Sequence, residues 1–305
     1  MVASCGATPP AGAVLAPALP TYAGTCPALA AAPAMTTLSS SGADRSFVVV
    51  RPATIAAGEK LPVVFFWHWL GGDPQDVLDI VDIGAAAELR RFIGVIPKPK
   101  GDVLFRWPFE SSQSDARVEE EAKFFDDALA CVGAALPVNK ECVATAGVSA
   151  GALWSAQLAG ARANRLSSIV SLSGGVDGII RPWTPVAHKL PALVLWGGPT
   201  DVYPSNFPVM KFETASKKLE EGLAAGGHAM VECVHNCGHD VPPLDPPAAG
   251  AHQWDLVWKF VLDHPYWLGA GQSPYAGKPL PAGFPAWCGQ GKGGATPRAA
   301  GAACP

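Results

Sequence analysis

The stretch Cys142-Val143-Ala144-Thr145-Ala146-Gly147-Val148-Ser149-Ala150-Gly151 runs a short apolar strand pattern into a glycine-flanked serine, and an Ala-rich helical pattern opens directly behind it. Its last five residues read G-x-S-x-G. A strand-to-helix turn this sharp leaves no room for Cβ atoms beside a serine held in a strained backbone conformation, which accounts for both glycines. The helix N-terminus then lies beneath the serine and favours negative charge developing there. Ser149 is therefore the candidate nucleophile, standing at the carboxyl end of a buried strand.

Outward from that turn, short apolar runs at 47–50, 63–67, 93–96, 142–148, 169–172, 193–196 and 230–234 alternate with helical patterns at 117–132, 150–161, 212–223 and 253–262. Alternation of this kind predicts an α/β fold, a mostly parallel central sheet with helices on both faces. The 117–132 helix is the best marked. Val118, Phe125, Leu129 and Val132 share one face, Ser114 and Asp115 precede it, and Glu119, Glu120 and Glu121 lie near its positive end. Residues 1–40 are rich in Ala, Pro, Thr and Ser, and 269–305 in Gly, Pro and Ala, without apolar periodicity. They are expected to be tails or wrapping arms around a catalytic domain at 41–268.

A serine is a poor nucleophile at neutral pH. It needs a histidine base, and the base needs a carboxylate to fix its tautomer. On a sheet of this kind the order along the chain is Ser, then Asp or Glu, then His. Asp201 follows the run at 193–196 through Gly197-Gly198-Pro199-Thr200, and His239 follows the run at 230–234 in the loop Asn236-Cys237-Gly238-His239-Asp240. These are the candidate acid and base. Asp177, after the run at 169–172, is the alternative acid. His228, His235, His252 and His264 are expected to be surface or core residues. The strand Val63-Val64-Phe65-Phe66-Trp67 runs into His68-Trp69-Leu70-Gly71-Gly72. The backbone N–H of Leu70, with that of Ala150 after the nucleophile, is the candidate oxyanion hole.

The chain has 305 residues, 49% of them hydrophobic and 16% charged, a composition that buries a sizeable core. Its net charge of -4 comes without any block of Lys and Arg, which argues against nucleic acid as a partner. Pro17, Pro20, Pro27 and Pro33 interrupt the Ala-rich start, so no apolar run reaches the ~18 residues a membrane span requires. Eight cysteines without zinc-ligand spacing predict at least three disulfides and an oxidising compartment. Cys131 with Cys142, and Cys288 with Cys304, are the expected pairs by proximity along the chain, with the partners of Cys5, Cys26, Cys233 and Cys237 left open. Val2-Ala3-Ser4-Cys5 is similar to the end of a lipoprotein signal, although lipidation of Cys5 would leave an odd number of cysteines.

Taken together, His68 to Gly72, Arg106-Trp107 ahead of the acidic helix, the Gly147 to Gly151 turn, Thr200-Asp201 and Gly238-His239 resemble secreted feruloyl esterases and polyhydroxybutyrate depolymerase-like esterases of the α/β-hydrolase superfamily. The resemblance covers about Cys26 to Leu262. It implies an α/β-hydrolase domain without a large lid that cleaves esters of plant polysaccharides or polyesters, with no metal and no cofactor. It also implies that Trp69 and Trp107 line an aromatic or hydroxyacyl pocket. Trp69 departs from the family, which often has Gly after the His, and so does the pair Cys233 and Cys237 beside His239. A serine peptidase and a non-catalytic binding protein on the same fold are the competing readings.

Overall fold

The computed structural model describes residues 4–205, 210–244, 250–269 and 271–305. Its strands are β1 (Met35–Ser40), β2 (Ala43–Val50), β3 (Leu61–Trp67), β4 (Ile93–Pro97), β5 (Val138–Val148), β6 (Ser168–Leu172), β7 (Ala192–Trp196), β8 (Val202–Tyr203), β9 (Met210–Lys211), β10 (Met230–Val234) and β11 (Cys288–Gln290). The helices are α1 (Pro74–Ile80), α2 (Ile83–Arg90), α3 (Asp115–Ala135), α4 (Ala150–Arg162), α5 (Phe212–Ala225) and α6 (Asp255–Asp263). All seven apolar runs are strands of one sheet, ordered β1-β2-β4-β3-β5-β6-β7-β10-β11. From β4 to β10 every neighbouring pair is parallel, and β2 lies antiparallel on β4.

Alternation along the strands sends side chains into two core layers. In β3, Val63, Phe65 and Trp67 join Phe125 of α3, Leu153 of α4 and Leu219 of α5. Val64 and Phe66 join Val77 of α1, Ile83 of α2 and Trp258 of α6 on the opposite face. Every residue of β3 is buried, as befits a parallel strand covered on both sides. α3 starts where its sequence says it should, with the Ser114 side chain accepting from the Arg117 N–H. Next to it a fully buried Arg45 pairs with Glu121 and stacks 4.0 Å over the Phe124 ring.

Both segments read as tails also supply edge strands. β1 folds back on β2 through Ser41-Gly42, both at positive φ, in register from Met35 opposite Val48 to Ser40 opposite Ala43. β11 lies antiparallel on β10. The rest of the N-terminal arm is held by side chains. The Ala16 N–H donates to Glu141 and the Tyr22 hydroxyl donates to the Ser39 carbonyl.

The disulfides correct both expected pairings. Cys5 bonds Cys142, Cys26 bonds Cys131, Cys233 bonds Cys288 and Cys237 bonds Cys304, leaving no free cysteine. Strand alternation explains why Cys131 and Cys142 do not meet. Val143 faces the α3 layer with Cys131, so Cys142 points to the opposite face, where the Cys5 N–H donates to the Leu262 carbonyl of α6. Cys288 is directly opposite Cys233 across the β10–β11 pair, which takes it from Cys304. With its sulfur bonded to Cys142, Cys5 has no thiol to lipidate, and Val2 and Ala3 lie outside the described residues. Among the described residues no helix is long and apolar enough to cross a membrane.

Candidate active site

Ser149 sits between β5 and α4 at φ 53° and ψ -121°, the left-handed half of backbone space that a serine rarely occupies. The neighbouring glycines are required by contact. A Cβ on Gly147 would lie 2.3 Å from the Gly151 carbonyl oxygen, and one on Gly151 would lie 2.0 Å from that of Trp67. The turn therefore packs backbone against backbone, bringing the start of α4 onto the end of β3.

The Ser149 Oγ lies 2.9 Å from Nε2 of His239, whose Nδ1 lies 2.7 Å from Oδ1 of Asp201. With the Nδ1 proton donated to the carboxylate, Nε2 is left as the acceptor facing the serine hydroxyl. Asp201 is fully buried, and its other oxygen accepts from the Gly197 N–H at 2.7 Å and the Ser173 hydroxyl at 2.8 Å. Three donors thus hold the carboxylate. The imidazole of His239 lies flat on Phe212, centroids 4.2 Å apart and planes 5° apart. Gly197 has no space for a side chain because the Gly238 carbonyl oxygen would stand 1.8 Å from its Cβ, and the Gly238 N–H donates to the Gly197 carbonyl. The loops carrying Asp201 and His239 are zipped together there.

These groups open on a cavity of about 480 Å³. Ser149, His239, Leu70 and Ala150 all line it, with Leu153, Phe109 and Met210 among the apolar walls. Ala150 is the first residue of α4, so its N–H has no preceding turn to bond within the helix. Ser149, Asp201 and His239 are brought together, and Asp177 is exposed, the His239 ring being hydrogen-bonded to Asp201 and Ser149 instead. Among the described residues no group of three or more His, Cys, Asp or Glu is placed to hold a metal ion.

The two tryptophans part company. Trp69 lines the cavity, its ring filling the space where a Gly72 side chain would stand, 2.9 Å from the ideal Cβ. Trp107 does not line it. It is fully buried, edge-on to Trp67 at 5.0 Å, and its Nε1–H donates to the His68 carbonyl at 2.9 Å. An indole drawn into the core needs an acceptor for that N–H, and the loop carbonyl supplies it. Trp107 therefore braces the loop before Leu70. The neighbouring His68 ring packs against Trp107 at a steep angle, its Nδ1–H donating to the Trp69 carbonyl, and burial holds its pKa below the usual value.

Several lining residues carry no motif. Ser173, Met210 and Phe212 reach the site from three different elements, and only the three-dimensional fold unites them. His235, read as core or surface, also lines the cavity. Its position at the end of β10 beside the His239 loop was the available signal.

No family model matches the sequence, and no curated protein matches it. Solved structures do resemble the fold. A serine-to-cysteine variant of pOPH in complex with DMSO superposes with a TM-score of 0.69 at 16% identity, over 92% of this chain and 99% of that one. Native sOPH gives 0.69 at 17% identity, over 89% and 97%. A fungal esterase from Rhizomucor miehei gives 0.52 at 15% identity, over 76% and 82%. Identities this low speak to architecture only. With the sheet order, the helices on both faces and the absence of a large lid among the described residues, they establish that this chain has the α/β-hydrolase fold.

Proposed function

We propose that the protein is a carboxylic ester hydrolase acting through a Ser149 acyl-enzyme. The observation that carries this reading is the unbroken hydrogen-bonded line from Ser149 through His239 to Asp201 at the wall of a largely apolar cavity. His239 Nε2 takes the hydroxyl proton as Oγ attacks the ester carbonyl, and buried Asp201 stabilises the imidazolium so formed. The N–H groups of Ala150 and Leu70 receive the oxyanion. His239 then returns its proton to the departing alcohol, and water, activated the same way, releases the acid. No step calls for a metal or cofactor.

The acyl group we favour is a hydroxycinnamate on plant polysaccharide. The cavity's size and the Trp69 ring on its wall support it. A polyester is the second reading, supported by Ile80, Ile179, Tyr203 and Val241, all exposed and all at the cavity. Four disulfides favour work in an oxidising medium outside the cell. The experiment is a panel of methyl ferulate, acetylated xylan, nitrophenyl esters and polyhydroxybutyrate films, each with wild type and Ser149→Ala. Wild type is expected to hydrolyse at least the nitrophenyl esters, with Ser149→Ala lower by about a thousandfold or more and still folded. Ser149→Ala activity within tenfold of wild type would remove the serine mechanism. A ferulate-to-film preference decides between the two acyl groups.

A further inference from the structure

The cavity at Ser149 carries one unbalanced charge. Of the described residues lining it, Asp240 is the one Asp, Glu, Lys or Arg, and the others are mostly apolar. Asp240 directly follows His239 in the chain and is exposed, so its carboxylate stands at the mouth of the cavity rather than behind its wall. One of its oxygens accepts the Val241 N–H at 2.7 Å, and Val241 lines the cavity too. Among the described residues no cation pairs with Asp240, and the residues outside that set include no Lys or Arg.

A charge beside low-dielectric walls acts over a longer range than one in open water. The reach of this one is visible at His235 on the same cavity. Burial pushes the pKa of that ring down to about 4, and Asp201 and Asp240 oppose the shift whereas Arg298 and His239 add to it. Neither Arg298 nor Arg106, whose charge acts on His68, lines the cavity, and the Arg298 guanidinium donates to the Ala302 and Ala303 carbonyls. Asp201 differs in kind from Asp240, being buried and bonded to His239. Asp79 and Asp82, exposed on either side of the lining residues Ile80 and Val81, add charge of the same sign. We propose that Asp240 sets substrate choice by charge, favouring esters whose acyl and alcohol parts are neutral or cationic over esters that carry a carboxylate near the scissile bond. The proposal rests on the ester hydrolase reading and narrows its substrate class. Among polysaccharide esters it selects those on neutral sugars over those beside uronates. The released acid is an anion as well, so the same field favours its departure.

The test uses three nitrophenyl esters whose equal spacers, long enough to prevent internal attack, end in a carboxylate (pimelate), a carboxamide (pimelamate) or a trimethylammonium group (trimethylammoniohexanoate). Values of kcat/KM at neutral pH and low salt are compared as ratios to the carboxamide. Asp240→Asn is expected to raise the carboxylate ratio by about threefold to tenfold and to lower the trimethylammonium ratio by a similar factor, the size expected for two unit charges several ångströms apart beside water. Asp240→Lys should carry both ratios further in the same directions, and high salt should shrink the differences between the variants. Damage to folding or to His239 lowers all three esters together and leaves the ratios alone. The same esters are titrated by calorimetry into Ser149→Ala and into Ser149→Ala/Asp240→Asn, which reads the charge without turnover. Absence of hydrolysis together with affinities that shift in these directions would overturn the esterase reading and keep the role of Asp240. Ratios that the Asp240 variants leave unchanged in turnover and in binding, or that move the same way for the carboxylate and the trimethylammonium ester, would overturn that role.

Discussion

Asp201 and Asp177 each follow a strand and a glycine turn, and sequence alone leaves them as alternatives. Their surroundings separate them. Asp201 is buried under three donors and bonded to His239, whereas Asp177 is exposed. Asp201→Asn should therefore lower nitrophenyl acetate turnover by about a thousandfold or more, because the amide no longer fixes the tautomer of His239. Asp177→Asn should stay within threefold, and the reverse ordering of the two rates would reassign the acid. Trp107 illustrates what spacing hides. An aromatic residue near a site in sequence is as apt to brace it as to touch substrate, and what decides here is the His68 carbonyl that its Nε1–H requires. Trp107→Phe keeps the ring and loses that bond. It should reduce kcat/KM for methyl ferulate and nitrophenyl acetate by the same factor, since the loop before Leu70 serves both. A selective loss on ferulate would return Trp107 to the acyl pocket.

Among the elements, the loops after β7 and β10 meet where Gly197 touches Gly238, and their spacing sets how Asp201 faces His239. Gly197→Ala puts a methyl group where the Gly238 carbonyl now stands. The His239 loop must move outward by an ångström or so, and displacement on that scale costs about a hundredfold in rate. The expected result is a loss of that order in kcat with the circular dichroism spectrum of wild type, and an unimpaired rate would mean that the two loops are not coupled. The seven central strands were legible as short apolar runs because both of their faces are covered. β1 was not, since its buried positions Thr36, Leu38 and Ser40 are mostly polar and its outward ones are exposed. β11 has only three residues and is defined by its partner, and α1 and α2 are short helices with weak periodicity. Disulfide pairing was beyond the sequence for a different reason. Cys131 and Cys142 lie on opposite sides of the sheet, Cys288 is paired across the β10–β11 ladder, and the true partners are 55 to 137 residues apart.

Across the whole molecule, one buried carboxyl group should add its own slope to the dependence of stability on pH. Glu220 on α5 is 1% exposed, and burial, reinforced by the Glu232 carboxylate on β10, pushes its pKa up to about 8. An acid whose folded pKa exceeds its unfolded value keeps its proton in the native state after the unfolded chain has lost it. Glu220's contribution to the unfolding free energy therefore falls as pH rises from about 4.5 to about 8, and levels off above that range. Glu220→Gln removes the titration, so wild-type urea midpoints measured at successive pH values should fall relative to those of the variant over this interval. Parallel profiles would show that Glu220 ionises as it does in the unfolded chain. A further consequence comes from Cys237, two residues before His239, which is bonded to Cys304, while Asn236 donates to the Arg298 carbonyl. During biosynthesis a nascent chain that has emerged only as far as His239 already contains Ser149, Asp201 and His239. The Cys237–Cys304 strap is still unmade. It can close only after residue 304 has been translated and met an oxidant, so the loop that carries His239 is covalently tied to the chain's last residues at the end of folding.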